Sequence, residues 1–168
     1  MDLITLDFET YYSKEYSLGK LTTEEYIRDP KFEVIGVAVK INNQQTEWAS
    51  GTHEELKQYL QTFDWEKAMV LAHNTMFDGA ILSWIFNINP RVYTDTLCIS
   101  RGVNGVENSS SLKALSEKYD IGAKGTEVIQ AIGKRRKDFT ESELADYGDY
   151  CINDVDLTYK LFTIMGNK

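Results

Sequence analysis

Cysteine, proline, histidine and positive charge are all scarce in this chain, and each scarcity excludes something. Two cysteines in 168 residues, Cys98 and Cys151, cannot build a disulfide scaffold, and they share no metal-ligand spacing. A reducing cytoplasm is the simpler setting. Two prolines, Pro30 and Pro90, each follow a break in pattern, and no linker, repeat or low-complexity tract stands out. His53 in an exposed first helical turn and His73 as a packed or surface residue suggest no histidine-based site. The longest clean apolar stretch, Val34-Ile35-Gly36-Val37-Ala38-Val39, is far below bilayer-spanning length, and Asp2 interrupts any secretory leader, so no membrane partner is expected. Lys and Arg number 18 against 26 Asp and Glu, a formal net charge of -8. That balance argues against broad electrostatic capture of duplex nucleic acid, though not against an enzyme that grips a strand end.

What is present reads as one globular domain over residues 1–168, able to bury roughly 70% of its unfolded surface. Its hydrophobic fraction is 42% and its charged fraction 26%, both ordinary values. Strands are predicted at about 2–8, 32–41 and 44–49, with a tight turn at Asn42-Asn43, and at 68–72. Helices are predicted at 22–28, from the capping box Thr52-His53-Glu54-Glu55 to about Phe63, and from Asn74 or Thr75 to about Phe86. Further helices are expected at 95–101, 111–119 and 126–132. A separate C-terminal helix is the clearest: it opens on the capping box Thr140-Glu141-Ser142-Glu143, and Leu144, Tyr147, Cys151, Val155 and Phe162 follow at helical spacing. Strands first and helices later predict an α/β fold, a mixed central sheet flanked by helices, with the first three strands an antiparallel meander.

The chemistry concentrates in acids. Asp7-Phe8-Glu9-Thr10 closes the apolar strand Leu3-Ile4-Thr5-Leu6. Alternation sends Asp7 and Glu9 to one face and Phe8 to the other. Two adjacent carboxylates at the end of a core strand repel and resist burial, and a divalent cation offsets that cost most directly. Asp78 in Asn74-Thr75-Met76-Phe77-Asp78 and Asp154 in Tyr150-Cys151-Ile152-Asn153-Asp154 supply two more acids. Tyr150 and Asp154 lie one turn apart on one face, rotated from the Tyr147-Cys151-Val155 stripe that should meet the sheet. The whole set looks like a metal-dependent phosphodiester-cleaving site.

These three motifs, in this order and separation, resemble those of the DEDD 3′–5′ exonuclease superfamily. One branch of it carries a histidine five positions before the last acid, where this chain has Asp149. The other carries a tyrosine four positions before, where this chain has Tyr150. The flanking segments Tyr26-Ile27-Arg28-Asp29-Pro30, Ser111-Leu112-Lys113-Ala114-Leu115 and Asp154-Val155-Asp156-Leu157-Thr158 look most like the proofreading domain of phage and bacterial family A DNA polymerases. The resemblance covers about residues 3 to 162. It implies an RNase H-like fold and a two-metal mechanism with Mg²⁺ or Mn²⁺, the ions about 3.5–4 Å apart. Asp7, Glu9 and Asp154 would hold one ion, and Asp7 and Asp78 would support the second. Tyr150 would orient the attacking water, and Thr10 and Asn74 would touch the terminal nucleotide. The implied partners are the 3′ end of single-stranded DNA and a DNA polymerase domain or subunit, in a bacterial or phage-infected host cytoplasm. A polymerase continues well past its last exonuclease motif, whereas this sequence stops at Lys168. A cut-out domain, a split-polymerase subunit and a free-standing enzyme all fit.

Local readings stand beside these. Asn74 can simply cap its helix, and Asp95 caps the helix that follows it. Asp149 and Asp156 lie on other helical faces and are expected to be solvated. Tyr11 and Tyr12 are packing residues or a stacking platform for a base. Lys134-Arg135-Arg136-Lys137, the only basic cluster, is a solvated loop or a guide for a single strand. Contact with three phosphates would give a log–log salt slope of about -2. Two rival functions remain: a non-catalytic module that holds a 3′ end or a protein partner, and an RNA-trimming exoribonuclease of the same superfamily.

Overall fold

The structure, a computed structural model, describes residues 1–125 and 130–168. Its centre is a five-stranded mixed sheet in the order β3-β2-β1-β4-β5. β1 (Asp2–Thr10), β2 (Val34–Ile41) and β3 (Glu47–Ser50) form the expected antiparallel meander. Asn42 starts the turn between β2 and β3 at φ 48, a left-handed conformation that asparagine adopts at little cost. β4 (Ala68–Ala72), at the residues predicted for it, lies parallel to β1, and β5 (Val92–Asp95) lies parallel to β4. β5 has no counterpart in the sequence-based expectation. It is a four-residue edge strand with Val92 and Tyr93 exposed, so it carries neither an apolar run nor a clean alternation.

The helices are α1 (Thr23–Arg28), α2 (His53–Leu60), α3 (Thr75–Ala80), α4 (Thr96–Asn104), α5 (Leu112–Tyr119) and α6 (Glu141–Met165). Both predicted capping boxes are formed, and Thr22 with Glu25 makes a third. The helix expected to run through Phe86 changes character instead. α3 stops at Ala80 and a π-helical turn covers Ile81–Ile85, closed by Phe86 N–H on the Ile81 carbonyl. The widened turn seats Ile81, Leu82 and Phe86 in the core together. Of the helix expected at 126–132, residues 126–129 lie outside the described residues, and 130–132 are irregular. Among the described residues no helix is long and apolar enough to cross a membrane.

Strand alternation divides the interior into two faces. Ile4, Leu6 and Phe8 of β1 join Val37, Val39 and Val70 under Leu56 and Leu60 of α2 and the π turn. Burying each such side chain contributes roughly 1.5–3 kcal/mol. The opposite face carries Asp7 and Glu9 and is covered by α6. There Cys151 and Val155 pack on Ala38, Tyr147 packs with Ile35 and Phe139, and Leu157, Leu161 and Met165 pack on Leu112 and Leu115 of α5. Trp48 fills the seam between sheet and helix. A Cβ on Gly36 would lie 2.3 Å from its ring and one on Gly148 2.5 Å, so both positions need glycine.

Two polar expectations are corrected here. His53 is half-buried and does have a partner: its Nε2 accepts the Val34 N–H at 2.9 Å. Burial lowers its pKa, which suits a neutral acceptor. Asp156 is paired, not merely solvated. It accepts from the Thr46 hydroxyl at 2.5 Å and lies 3.4 Å from Lys40 Nζ, tying α6 to the β2–β3 hairpin.

Candidate active site

β1 delivers Asp7 and Glu9 to the α6 face, as alternation requires. The pairing with β2 slips directly after them, from Glu9 opposite Gly36 to Thr10 opposite Val34, a bulge of the kind that re-aims side chains. On α6, the Cys151 thiol donates toward Asp7, with Sγ 3.4 Å from Oδ2 and 3.3 Å from the backbone oxygen. Ligand atoms of Asp7, Glu9 and Cys151 all lie within 4.8 Å of one another. Asp154 follows one turn later and is only 7% exposed. Its Oδ2 is 3.4 Å from Lys124 Nζ, while its buried Oδ1 has no hydrogen-bond partner among the described residues. Asp78 arrives from α3, 2% exposed, and accepts the Phe8 N–H at 2.9 Å. That bond fastens α3 to β1 beside Asp7. Of the four predicted acids, Asp7 and Glu9 come together at ligand-atom distance, while Asp154 from α6 and Asp78 from α3 are coupled to Asp7 by charge but lie outside that 4.8 Å group.

Their proton affinities record the crowding. Burial, and next the charge of Asp154, push Asp7 up to about 7. Burial and the charge of Asp7 push Glu9 and Asp78 well above the usual carboxylate range. Burial also raises Asp154, against the opposing pull of Lys124. Burial, and next the charge of Glu9, raise the pKa of the nearby Tyr147 phenol, so it is neutral. Burial raises the Cys151 thiol far up, so it stays protonated and acts as a donor to Asp7. The excess of buried carboxylate oxygen, with the unpartnered Oδ1 of Asp154, fits a hard divalent cation. Asp7, Glu9, Asp78 and Asp154 are the residues able to hold one.

Tyr150 sits half-buried one turn before Asp154 on α6, with the Lys124 ammonium 5.8 Å from its ring centre. Burial, and next the charge of Asp154, raise its pKa, so the phenol is neutral. Thr10 shares a 2.8 Å hydrogen bond with the Tyr26 hydroxyl at the strand end. Asn74 stands at the head of α3 with φ 75 but makes no side-chain cap, so the simple capping explanation does not hold. Its N–H donates instead to Asp95 Oδ1 at 2.9 Å, and the same oxygen caps α4 through Leu97 N–H. His73 is packed, with Nδ1 2.8 Å from Thr96 Oγ1 and Nε2 2.8 Å from the Ser110 carbonyl. Tyr11 lies under Arg135, whose guanidinium is 3.9 Å from the ring centre. Lys134 is paired with Glu143 at 2.6 Å. Half of the basic cluster is thus structural rather than a solvated loop.

Lys124 and Cys151 contact the acids, and Tyr147 is electrostatically linked to Glu9, without having been singled out for it. Tyr147 and Cys151 carried only the stripe signal of packing, and a loop lysine between Ala123 and Gly125 carried none.

The chain matches the model of the 3′-5′ exonuclease family over residues 3–168. No curated protein sequence matches it. Among solved structures, NrnC of Brucella melitensis superposes with a TM-score of 0.66 at 12% identity, covering 98% of this chain and 72% of NrnC. NrnC is also solved with bound Mg²⁺ and bound to pGG. RNase D of Trypanosoma brucei in complex with RNA U12 gives 0.73 at 12% identity, covering 99% of this chain and 56% of the other. The catalytic core of RRP6 from Trypanosoma brucei gives 0.65 at 12%, with 97% and 40% covered. At such identities the likeness is one of fold, a mixed sheet flanked by helices, as in these nucleases. With the family model spanning all but its first two residues, the chain belongs to the 3′-5′ exonuclease family.

Proposed function

We propose that this exonuclease belongs to the tyrosine branch and removes nucleotides from the 3′ end of single-stranded DNA, proofreading for a DNA polymerase in a bacterial or phage-infected cytoplasm. The observation that carries the reading is the acid group of half-buried Asp7 and Glu9 with buried Asp78 and Asp154, and Tyr150 one turn before its last member. Asp7, Glu9 and Asp154 would hold one divalent cation, and Asp7 with Asp78 would support a second, Mg²⁺ or Mn²⁺ by the hardness of the ligands. Such cations supply the positive charge that favours ionised water as nucleophile and a departing 3′ oxygen. The residues do the rest. Tyr150, neutral because its pKa is raised, holds the attacking water by hydrogen bonding rather than taking its proton. Glu9 accepts a hydrogen bond from the same water. Asp78, fixed to the Phe8 N–H, keeps α3 and therefore Asn74 against the strand end. Asn74 and Thr10 would contact the terminal nucleotide. Water adds at phosphorus and the P–O3′ bond breaks, leaving a 5′-phosphate on the released nucleotide and a new 3′ hydroxyl on the strand.

A second reading, RNA trimming, is supported by the RNA-bound structure of RNase D. Matched 5′-labelled DNA and RNA strands incubated with Mg²⁺ separate the two. The proposal expects a ladder shortened from the 3′ end, formed on DNA at least as fast as on RNA. Faster loss of the RNA strand favours trimming, and intact strands of both kinds leave only a binding module.

A further inference from the structure

Lys124 is the only cation within ion-pair distance of the acid cluster among the described residues. Its ammonium lies 3.4 Å from Asp154 Oδ2 and sits 5.8 Å from the centre of the Tyr150 ring. The segment that carries it is fastened to α6 around the lysine. Asn153 Nδ2 donates to the Ala123 carbonyl at 3.0 Å, and Lys160 Nζ donates to the Ile121 carbonyl at 3.2 Å. Gly125 presses on Tyr150 so closely that a Cβ there would lie 2.9 Å from its ring. The lysine is therefore held at the site by construction. Its side chain is 30% exposed, whereas that of Asp154 is 9% exposed. A flexible four-carbon stem thus reaches from the rim onto a nearly closed carboxylate. Outside it lies an open cavity of about 350 Å³ lined by Lys124, Tyr150 and Asn153 among others.

An ammonium and a divalent cation on the same carboxylate repel each other strongly at such distances. We propose that Lys124 is a resident counter-cation: it neutralises Asp154 while the site is free of metal, is exchanged for the divalent cation on loading, and passes its ammonium to a phosphate oxygen of the bound strand. This deepens the nuclease reading and rests on it. Lys124 then couples metal and substrate as a positioning residue, because the strand receives a cation only at a site already loaded.

The test uses the intact protein. Acylation of lysines with an amine-reactive ester, read residue by residue by peptide mass spectrometry, should show Lys124 protected without metal and labelled once Mg²⁺ is added. Protection should return when a hydrolysis-resistant phosphorothioate DNA strand joins the Mg²⁺. Calorimetry on Lys124→Met should show Mg²⁺ binding at least about fivefold tighter than in the unaltered protein, since the competing charge is gone. If Mg²⁺ binds but labelling of Lys124 stays constant or falls, the exchange is refuted and the nuclease reading stands. Equal or weaker Mg²⁺ affinity in Lys124→Met refutes it too, pointing to a lysine that merely orients Asp154. No Mg²⁺ binding to either protein would sink both readings.

Discussion

At the scale of single residues, the site is a set of carboxyls held where carboxylates are poorly tolerated. An aspartate in an unfolded chain ionises near pH 3.9. Asp7 in the fold keeps its proton to about 7, and Glu9, Asp78 and Asp154 shift the same way. Between those pH values the unfolded chain has released protons that the folded chain retains. Stability from these groups is therefore fully present at low pH and is lost as pH rises towards and through about 7. Metal-free protein should melt at a lower temperature at about pH 8 than at about pH 5.5, and excess Mg²⁺ should remove most of the difference by taking the place of the protons. A metal-free melting temperature that climbs across that range contradicts the description. Tyr150 gives a second prediction at this scale. With its phenol kept neutral, Tyr150→Phe should lower kcat on the order of 10²-fold through the loss of one hydrogen bond to the water. The shape of the pH–rate profile should not change, and disappearance of an alkaline limb in the variant would show that the phenol itself titrates during turnover.

At the scale of elements, precision at the site comes from how α6 sits on the sheet. Trp48 of β3 occupies the space left by two missing side chains, Gly36 on β2 and Gly148 on α6. Gly148→Ala should overpack that seam, destabilise the protein by about 1–3 kcal/mol in urea unfolding, and shift Tyr150 and Asp154 with the helix. A neutral outcome would mean that the helix rides freely over the sheet. The elements were also where the sequence was most readable. β4, the β2–β3 turn at Asn42 and the capping boxes at Thr52 and Thr140 are local patterns, written in residues that touch each other. β5 was hidden because an exposed four-residue edge strand needs no apolar signature. The π turn was hidden because a helical pattern with one residue too many still looks helical. Within the site, the resemblance of the three motifs suggested that Asp7, Glu9, Asp78 and Asp154 converge, but no local pattern in the sequence could establish it. The thiol of Cys151 and the ammonium of Lys124 were not suggested, because each reaches the acids across contacts far apart in the chain. Cys151 lies 144 positions from Asp7, and its helical stripe gave only the packing half of its role.

At the scale of the whole molecule, a chain of net charge -8 that handles nucleic acid must hold its strand locally rather than by its overall field. The basic cluster can help only in part. Lys134 is committed to Glu143, and Arg135 to Tyr11 and the Lys31 carbonyl, which leaves Arg136 and Lys137 facing a cavity beside Glu33 and His53. Two phosphates, not three, set the expectation. The log–log salt slope for single-strand binding should be about -1.4, and neutralising Arg136 and Lys137 together should flatten it. An unchanged slope in that double variant removes the cluster from the path of the strand. The central claim, that these acids hold the cations and perform the hydrolysis, is tested most directly by one comparison. Folded Asp154→Asn, which keeps the shape of the side chain and loses its charge, is set against the unaltered protein in Mg²⁺-dependent shortening of a labelled strand. The account predicts a rate lower by roughly 10³, equivalent to about 4 kcal/mol of lost stabilisation, with the melting temperature in the absence of metal preserved or raised. Shortening by the variant at close to the normal rate would contradict it.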